Sequence, residues 1–240
     1  MQLNNNKILI TGGGSGIGLG LTERFLNEGN TVIICGRRTD VLAEVKAKFP
    51  TVITYACDLA LEADRIAMYE WIQAEHSDLN VLVNNAGIQN WMDVGDANFY
   101  EKAKHEIAIN IEAPIHLITL FLKLAELKTI MNVSSGLSYV PLVKVPVYSA
   151  TKSFVRAFTT SIQKTLTAQN IEVIEIIPPA LNTDLGGKGL HDSYPPVSEF
   201  IESIFEQLKA GSNKLTFGLS AMMAKASAED LQNVFNRMNP

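Results

Sequence analysis

Tyr148 and Lys152 stand four residues apart in Val147-Tyr148-Ser149-Ala150-Thr151-Lys152, and Ser135 stands thirteen residues before the tyrosine. On a helix, positions i and i+4 share a face, so this spacing predicts an ammonium beside a phenol. A free tyrosine has a pKa of about 10 and exchanges protons poorly at neutral pH. A neighbouring positive charge favours the phenolate and brings the group toward the operating pH. The serine hydroxyl would polarise a carbonyl presented to the tyrosine. Ser134, one residue nearer, has the wrong spacing. Together the three side chains point to proton transfer at a carbonyl or hydroxyl oxygen.

A second constellation lies near the N-terminus, in Thr11-Gly12-Gly13-Gly14-Ser15-Gly16-Ile17-Gly18. It follows the apolar run Lys7-Ile8-Leu9-Ile10, which reads as a buried strand. It precedes a helical stripe of Leu21, Phe25 and Leu26 that Gly29 would stop. Strand, glycine turn and helix form the context a dinucleotide-binding fingerprint requires. Gly12 would permit the tight turn, Gly16 a close approach to a pyrophosphate, and Gly18 close packing of helix on sheet. The helix N-terminus, with Ser15 and Ile17, then faces the phosphates.

With these motifs on the page, the chain resembles the short-chain dehydrogenase/reductase family over roughly residues 5 to 220. Further motifs carry the likeness in order along the chain. Asn84-Asn85-Ala86-Gly87 follows a strand-like Val81-Leu82-Val83. Asn110 lies where the family keeps a helix asparagine that completes a catalytic tetrad. Asn132-Val133-Ser134-Ser135 matches the segment ending in the catalytic serine. Pro178-Pro179-Ala180-Leu181-Asn182-Thr183 resembles the family's Pro-Gly-x-x-x-Thr, with proline replacing glycine at 179. That proline fixes φ and removes an N–H. The runs Val145 to Lys152 and Pro178 to Leu185 are similar to the DltE-like subgroup.

The resemblance implies an oxidoreductase that moves hydride between a nicotinamide and a carbonyl or secondary alcohol. It implies Asn110, Ser135, Tyr148 and Lys152 as the catalytic set, with Tyr148 as general acid and base. Lys152 would also hold the nicotinamide ribose, and Asn110 a water linking Lys152 to solvent. The cofactor contacts it implies are Gly12, Ser15, Gly16, Ile17, Gly18, Arg37, Arg38, Asp58, Leu59, Asn85, Ala86, Gly87, Tyr148, Lys152, Pro178 and Thr183. Asp58 would touch the adenine edge, though turn capping explains an aspartate there equally well.

Arg37 and Arg38 decide which dinucleotide is expected. Relatives that prefer NAD carry an acid at the end of the second strand, where this chain has Gly36. Two guanidiniums follow, and paired N–H donors suit a 2′-phosphate. NADP(H) is therefore favoured over NAD, although many NADP-using relatives place another basic residue at the position of Ser15.

These residues need a scaffold. Strand-like runs fall near 7–11, 31–35, 52–56, 80–84, 128–133, 171–177 and 214–217. Helical patterns lie near 17–28, 39–48, 62–75, 101–126, 147–169 and 198–210, with a last helix from Ser227. Such alternation predicts a single α/β domain, a Rossmann-type doubly wound parallel sheet of about seven strands with helices on both faces. The ligand should lie at the carboxyl ends of the strands, where strand order reverses. Pro114 should bend the long fifth helix. Residues 184–197, with three glycines and two prolines, read as a mobile loop placed to cover a substrate. Trp91, Leu137, Leu142, Leu185 and Leu190 suggest an apolar pocket beneath it.

Composition narrows the classes. The 240 residues suffice for one full domain, and a formal net charge of −5 gives no basic footprint for nucleic acid. No run of about 18 apolar residues suggests a membrane span, and the polar start is unlike a signal peptide. Cys35 and Cys57 are the only cysteines, which fits reduced thiols and a cytoplasmic protein. No Cys and His cluster has metal-ligand spacing. The partner expected is a small carbonyl or alcohol. The family also implies a homodimer or homotetramer through helices 101–126 and 147–169. Two rival readings stand beside it: a non-catalytic nucleotide-binding sensor or scaffold, and an epimerase or dehydratase. An intact tetrad argues against the first, and the short C-terminal region against the second.

Overall fold

The computed structural model describes residues 1–240. Seven strands form one sheet: β1 (Lys7–Thr11), β2 (Thr31–Gly36), β3 (Ile53–Ala56), β4 (Val81–Asn84), β5 (Thr129–Val133), β6 (Glu172–Ile177) and β7 (Lys214–Thr216). Their spatial order is β3-β2-β1-β4-β5-β6-β7, and every neighbouring pair is parallel. The order reverses between β1 and β4, so a crevice opens there at the strands' carboxyl ends.

Parallel strands need crossovers, and here each is a helix or carries one. These are α1 (Gly16–Asn27), α2 (Thr39–Lys48), α3 (Glu62–Glu75), α4 (Phe99–Ile107), α5 (Ala113–Phe121), α6 (Pro146–Thr167) and α7 (Val197–Lys209), followed by α8 (Gly218–Met223) and α9 (Ala228–Met238). Side chains alternate across the sheet. Ile8, Ile10, Val32, Ile34, Val81 and Val83 enter one core with Leu21, Phe25, Leu42 and Phe205 of α1, α2 and α7. Leu9, Ile33, Leu82, Ile130 and Val173 enter the other with Met68, Ile72, Leu117, Phe121 and Leu166 of α3, α5 and α6. Phe25 meets Phe205 edge to face, centroids 4.9 Å apart, locking α1 to α7.

The expected continuous helix over 101–126 is not what forms. It is interrupted by a π-helical turn, Ala108–Glu112, and α5 ends at Phe121. Pro114 explains the interruption, because it has no N–H to return to the carbonyl of residue 110. The register adjusts so that the Ala113 N–H bonds to Ala108 O, five residues back, and Pro114 sits in the first turn of α5 where its missing donor is harmless. Beyond Phe121 the chain continues in tighter turns, Leu124 N to Phe121 O and Leu127 N to Leu124 O. Leu124 and Leu127 stay buried, so the apolar spacing survived while the helix did not.

Candidate active site

The glycine turn is braced from the neighbouring strand. The Thr11 hydroxyl donates to Val83 O (3.3 Å) and accepts from the N–H groups of Asn85 and Ala86 (both 3.0 Å). The Asn85 side-chain amide donates to Thr11 O (2.8 Å) and Gly12 O (3.3 Å). Gly12 can turn there because its φ is +63°, a region L side chains avoid. Asn85 therefore holds the shape of the turn through its side chain. Gly18 packs so closely under Gly12 that a Cβ would strike the Gly12 backbone.

Helix α1 begins without a side-chain cap and without an acid in its first turn. Its first i→i−4 bond runs from Leu19 N to Ser15 O (3.1 Å), which leaves the N–H groups of Gly16, Ile17 and Gly18 without an intrahelical acceptor. With the helix dipole they form an anion-favouring end. Thr183 faces this turn: a Cβ on Gly16 would lie 3.4 Å from the Thr183 methyl carbon. The carboxyl end of β6 is tied to that of β5 by Gly136 N to Pro178 O (2.9 Å).

Arg37 and Arg38 are exposed at the end of β2. The Arg38 guanidinium donates to the Ser15 hydroxyl (3.1 Å), and neither arginine takes part in an ion pair. Asp58 follows β3, where its Oδ1 accepts from Ala60 N (3.0 Å). The turn-capping reading of Asp58 is the one this geometry displays. Leu59 is buried beside it and lines, with Thr11, Asn84, Asn110, Asn132 and Lys152, a small enclosed cavity behind the lysine. The Asn84 Oδ1 is buried with no partner.

Ser135 ends β5, and its hydroxyl caps the short turn Gly136–Ser138 by accepting from Leu137 N (3.1 Å). Ser134 points elsewhere, donating to Glu175 Oε1 (2.6 Å). Tyr148 and Lys152 lie in the first two turns of α6, which Pro146 opens. Both are buried, and the Ser135 hydroxyl acts on the phenol's titration. The Lys152 Nζ donates to Val133 O (2.8 Å) and sits 5.6 Å from the Tyr148 ring centroid.

Asn110 occupies the π-helical turn. Its Oδ1 accepts from Ile88 N (2.9 Å), and its Nδ2 donates to Ile88 O (2.9 Å) and Thr151 Oγ1 (3.1 Å). It thereby ties the loop after β4 to α6. Gly87 covers this junction: a Cβ there would lie 3.3 Å from Asn110 Oδ1 and 3.4 Å from Lys152 Nζ. Any larger residue would crowd both.

The electrostatics depart from the sequence expectation. Burial pushes the Tyr148 phenol above its ordinary range, the Ser135 hydroxyl pulls it down, and Glu106 pushes it up again. Lys152 was expected to depress the phenol. In this structure desolvation outweighs it, and the ammonium is directed to the Val133 carbonyl instead. Lys152 is itself lowered to about 8 by burial, with Glu106 opposing.

Motif reading quoted Thr11 and Thr151 without a role, and missed Glu106 altogether. Glu106 lies one helical turn before Asn110, fully buried, with Oε1 accepting from Asn90 N (2.9 Å) and Oε2 unpartnered. An acidic residue four positions before the motif asparagine was the available signal. Over the crevice, Gln89 and Trp91 meet the 184–197 loop at Gly186, where a Cβ would lie 3.0 Å and 3.2 Å from their side-chain nitrogens. Leu137, Leu142 and Leu185 are partly exposed, and Leu190 is 49% exposed.

Residues 6–193 match the family model described as short chain dehydrogenase. The chain is 39% identical to the uncharacterized oxidoreductase DltE of Bacillus subtilis (strain 168) over 250 residues, covering 100% of this chain and 98% of that one. It is 30% identical to the NADP-dependent 3-hydroxy acid dehydrogenase YdfG of Escherichia coli (strain K12), over 71% of each chain. Among solved structures, a short chain dehydrogenase from Burkholderia cenocepacia J2315 in complex with NADP aligns with a TM-score of 0.85 at 24% identity, over 99% of both chains. That last likeness bears on the fold.

Proposed function

The chain belongs to the short-chain dehydrogenase family, and from that premise we propose that it is an NADP(H)-dependent oxidoreductase acting on a carbonyl or secondary alcohol. One observation carries the reading. Ser135, Tyr148, Lys152 and Asn110 come from three separate elements and converge at the carboxyl ends of the strands, beside the point where strand order reverses.

The chain's groups fit a dinucleotide. An uncapped, acid-free helix start behind a tight glycine turn suits a pyrophosphate. Arg37 and Arg38, free of acidic partners, suit a 2′-phosphate. Lys152 would hold the nicotinamide ribose, and Thr183 with the backbone near Pro178 the carboxamide. The NADP-dependent relative supports the same choice.

A bound nicotinamide supplies the hydride. The protein's own part is orientation and proton transfer. In reduction, the Ser135 and Tyr148 hydroxyls would hydrogen-bond the substrate oxygen and Tyr148 would deliver its proton to it. In oxidation the same hydroxyl takes the proton back. The cavity behind Lys152, with the orphan Asn84 Oδ1 and Asn110 on its wall, supports a water that resupplies the proton.

Partly exposed Ile107 on α4, Leu122 just past the end of α5 and Phe154 on α6 support a homodimer or homotetramer. Two buried free thiols support a reducing, cytoplasmic setting. The test is a 340 nm assay with NADPH against ketones and aldehydes, and with NADP against alcohols. Cofactor binding without turnover of any substrate would favour a sensor instead.

A further inference from the structure

Two side chains of opposite charge are buried at this site, Glu106 on α4 and Lys152 on α6, helices that pack together, and neither has an ion-pair partner. Lys152 is 4% exposed, and its ammonium bonds only to the neutral Val133 carbonyl. Glu106 is 0% exposed, and one carboxylate oxygen has no partner at all. No salt bridge joins either residue to any other. A buried charge left alone is costly and tends to neutralise. The charged and titratable groups acting on Glu106 are Lys152 and Tyr148, both from α6. The loop after β4 supplies only the neutral backbone amide of Asn90. Glu106 is in turn the carboxylate acting on Lys152.

We propose that Glu106 is a positioning residue for the proposed reaction, a buried counter-charge that keeps Lys152 an ammonium as pH rises. The inference rests on the reading of Lys152 as the cofactor-binding lysine. Its sign is consistent with the titration of both groups. Glu106 is raised to about 7 and Lys152 lowered to about 8. Once ionised, the carboxylate opposes loss of the lysine proton.

A purely structural role offers the alternative. Oε1 accepts from the Asn90 N–H and so pins the loop over Gly87. Glutamine keeps that acceptor oxygen and removes the charge, so Glu106→Gln separates the two roles. Glu106→Asp keeps the charge.

The test is NADPH affinity of the full-length protein, followed by cofactor fluorescence from pH 6 to 10. In the wild type, affinity should fall about tenfold as Lys152 deprotonates, since a hydrogen bond from a charged donor is worth about 1.5–3 kcal/mol. In Glu106→Gln the midpoint should move down by about one pH unit, the usual scale for loss of a close opposite charge. Glu106→Asp should restore it. Glu106→Met serves if the glutamine variant misfolds: it keeps the length of the side chain, removes the charge, and should also move the midpoint down. Identical midpoints in wild type and Glu106→Gln would overturn the counter-charge role. A shifted midpoint with no NADPH turnover on any carbonyl would leave this inference standing and sink the hydride-transfer reading. No NADPH binding by the wild type at any pH sinks both.

Discussion

Arg38 reaches from the end of β2 to the mouth of the glycine turn and donates to the Ser15 hydroxyl at 3.1 Å. The contact puts a guanidinium over the start of α1, where a second basic residue would otherwise have been wanted. For the proposed 2′-phosphate, Arg38 would cover the side of the turn that Ser15 leaves uncharged, with Arg37 free beside it. Positive charge from the two arginines adds to that of the uncapped helix end.

NADPH should therefore bind more tightly than NADH. Arg37→Asp should narrow or reverse the preference, by about tenfold or more if one bidentate phosphate contact is lost. Titration of both cofactors against wild type and variant measures it. Equal affinities in the wild type would remove the NADP assignment.

Tyr148→Phe removes the proton donor and keeps the buried ring. Turnover should drop about 10²-fold or more, the scale of general acid–base contributions, while NADPH affinity holds. A variant that still turns over substantially would take Tyr148 out of the acid role.

The strands were legible because each is a short apolar run bounded by turn residues, and buried parallel strands need nothing subtler. The candidate tetrad could be proposed because Asn110, Ser135, Tyr148 and Lys152 each sit in a local sequence pattern. What the sequence hid was set by contacts between distant segments. The π-helical turn at 108–112 follows a perfectly good helical period, and only the missing N–H of Pro114 betrays it. Glu106 looks like one more solvated acid until α6 and the loop after β4 close around it. The direction of the Tyr148 shift failed for the same reason. Spacing gives the neighbour, but burial decides which charge state is favoured. The short helix α8 starts at Gly218 and has only six residues, too few for periodicity to register.

Glu106 also makes a prediction about stability. Its carboxyl is raised from 4.5 to about 7 by burial, so the folded state binds the proton more tightly than the unfolded chain. Its contribution is therefore fully present below about pH 4.5 and is lost as pH rises through about 7. At most this amounts to about 3 kcal/mol across the window. Thermal unfolding from pH 4.5 to 7.5 should show a smaller downward slope in Glu106→Gln than in the wild type. Parallel curves would mean that the carboxyl is not held neutral by the fold.

The loop from Asp184 to Val197 is pinned at its base and open at its tip. Asn182 N bonds to Pro195 O (2.9 Å), and the His191 Nδ1 lies 3.2 Å from Thr183 O. Between those ties, Gly186, Gly187 and Gly189 all take positive φ, while Leu190 and Tyr194 are 49% and 45% exposed. Apolar side chains in water above a crevice gain by folding down onto a bound substrate, and the glycines leave the backbone free to do so. This stretch should be the fastest-exchanging internal segment of the free protein. Cofactor alone should slow it modestly, and cofactor with substrate should slow it much more as water is excluded. Hydrogen exchange measured in the three states decides the matter. Slow exchange already present in the free protein would make the loop a fixed wall, and substrate selection would then belong to Trp91 and Gln89 beneath it.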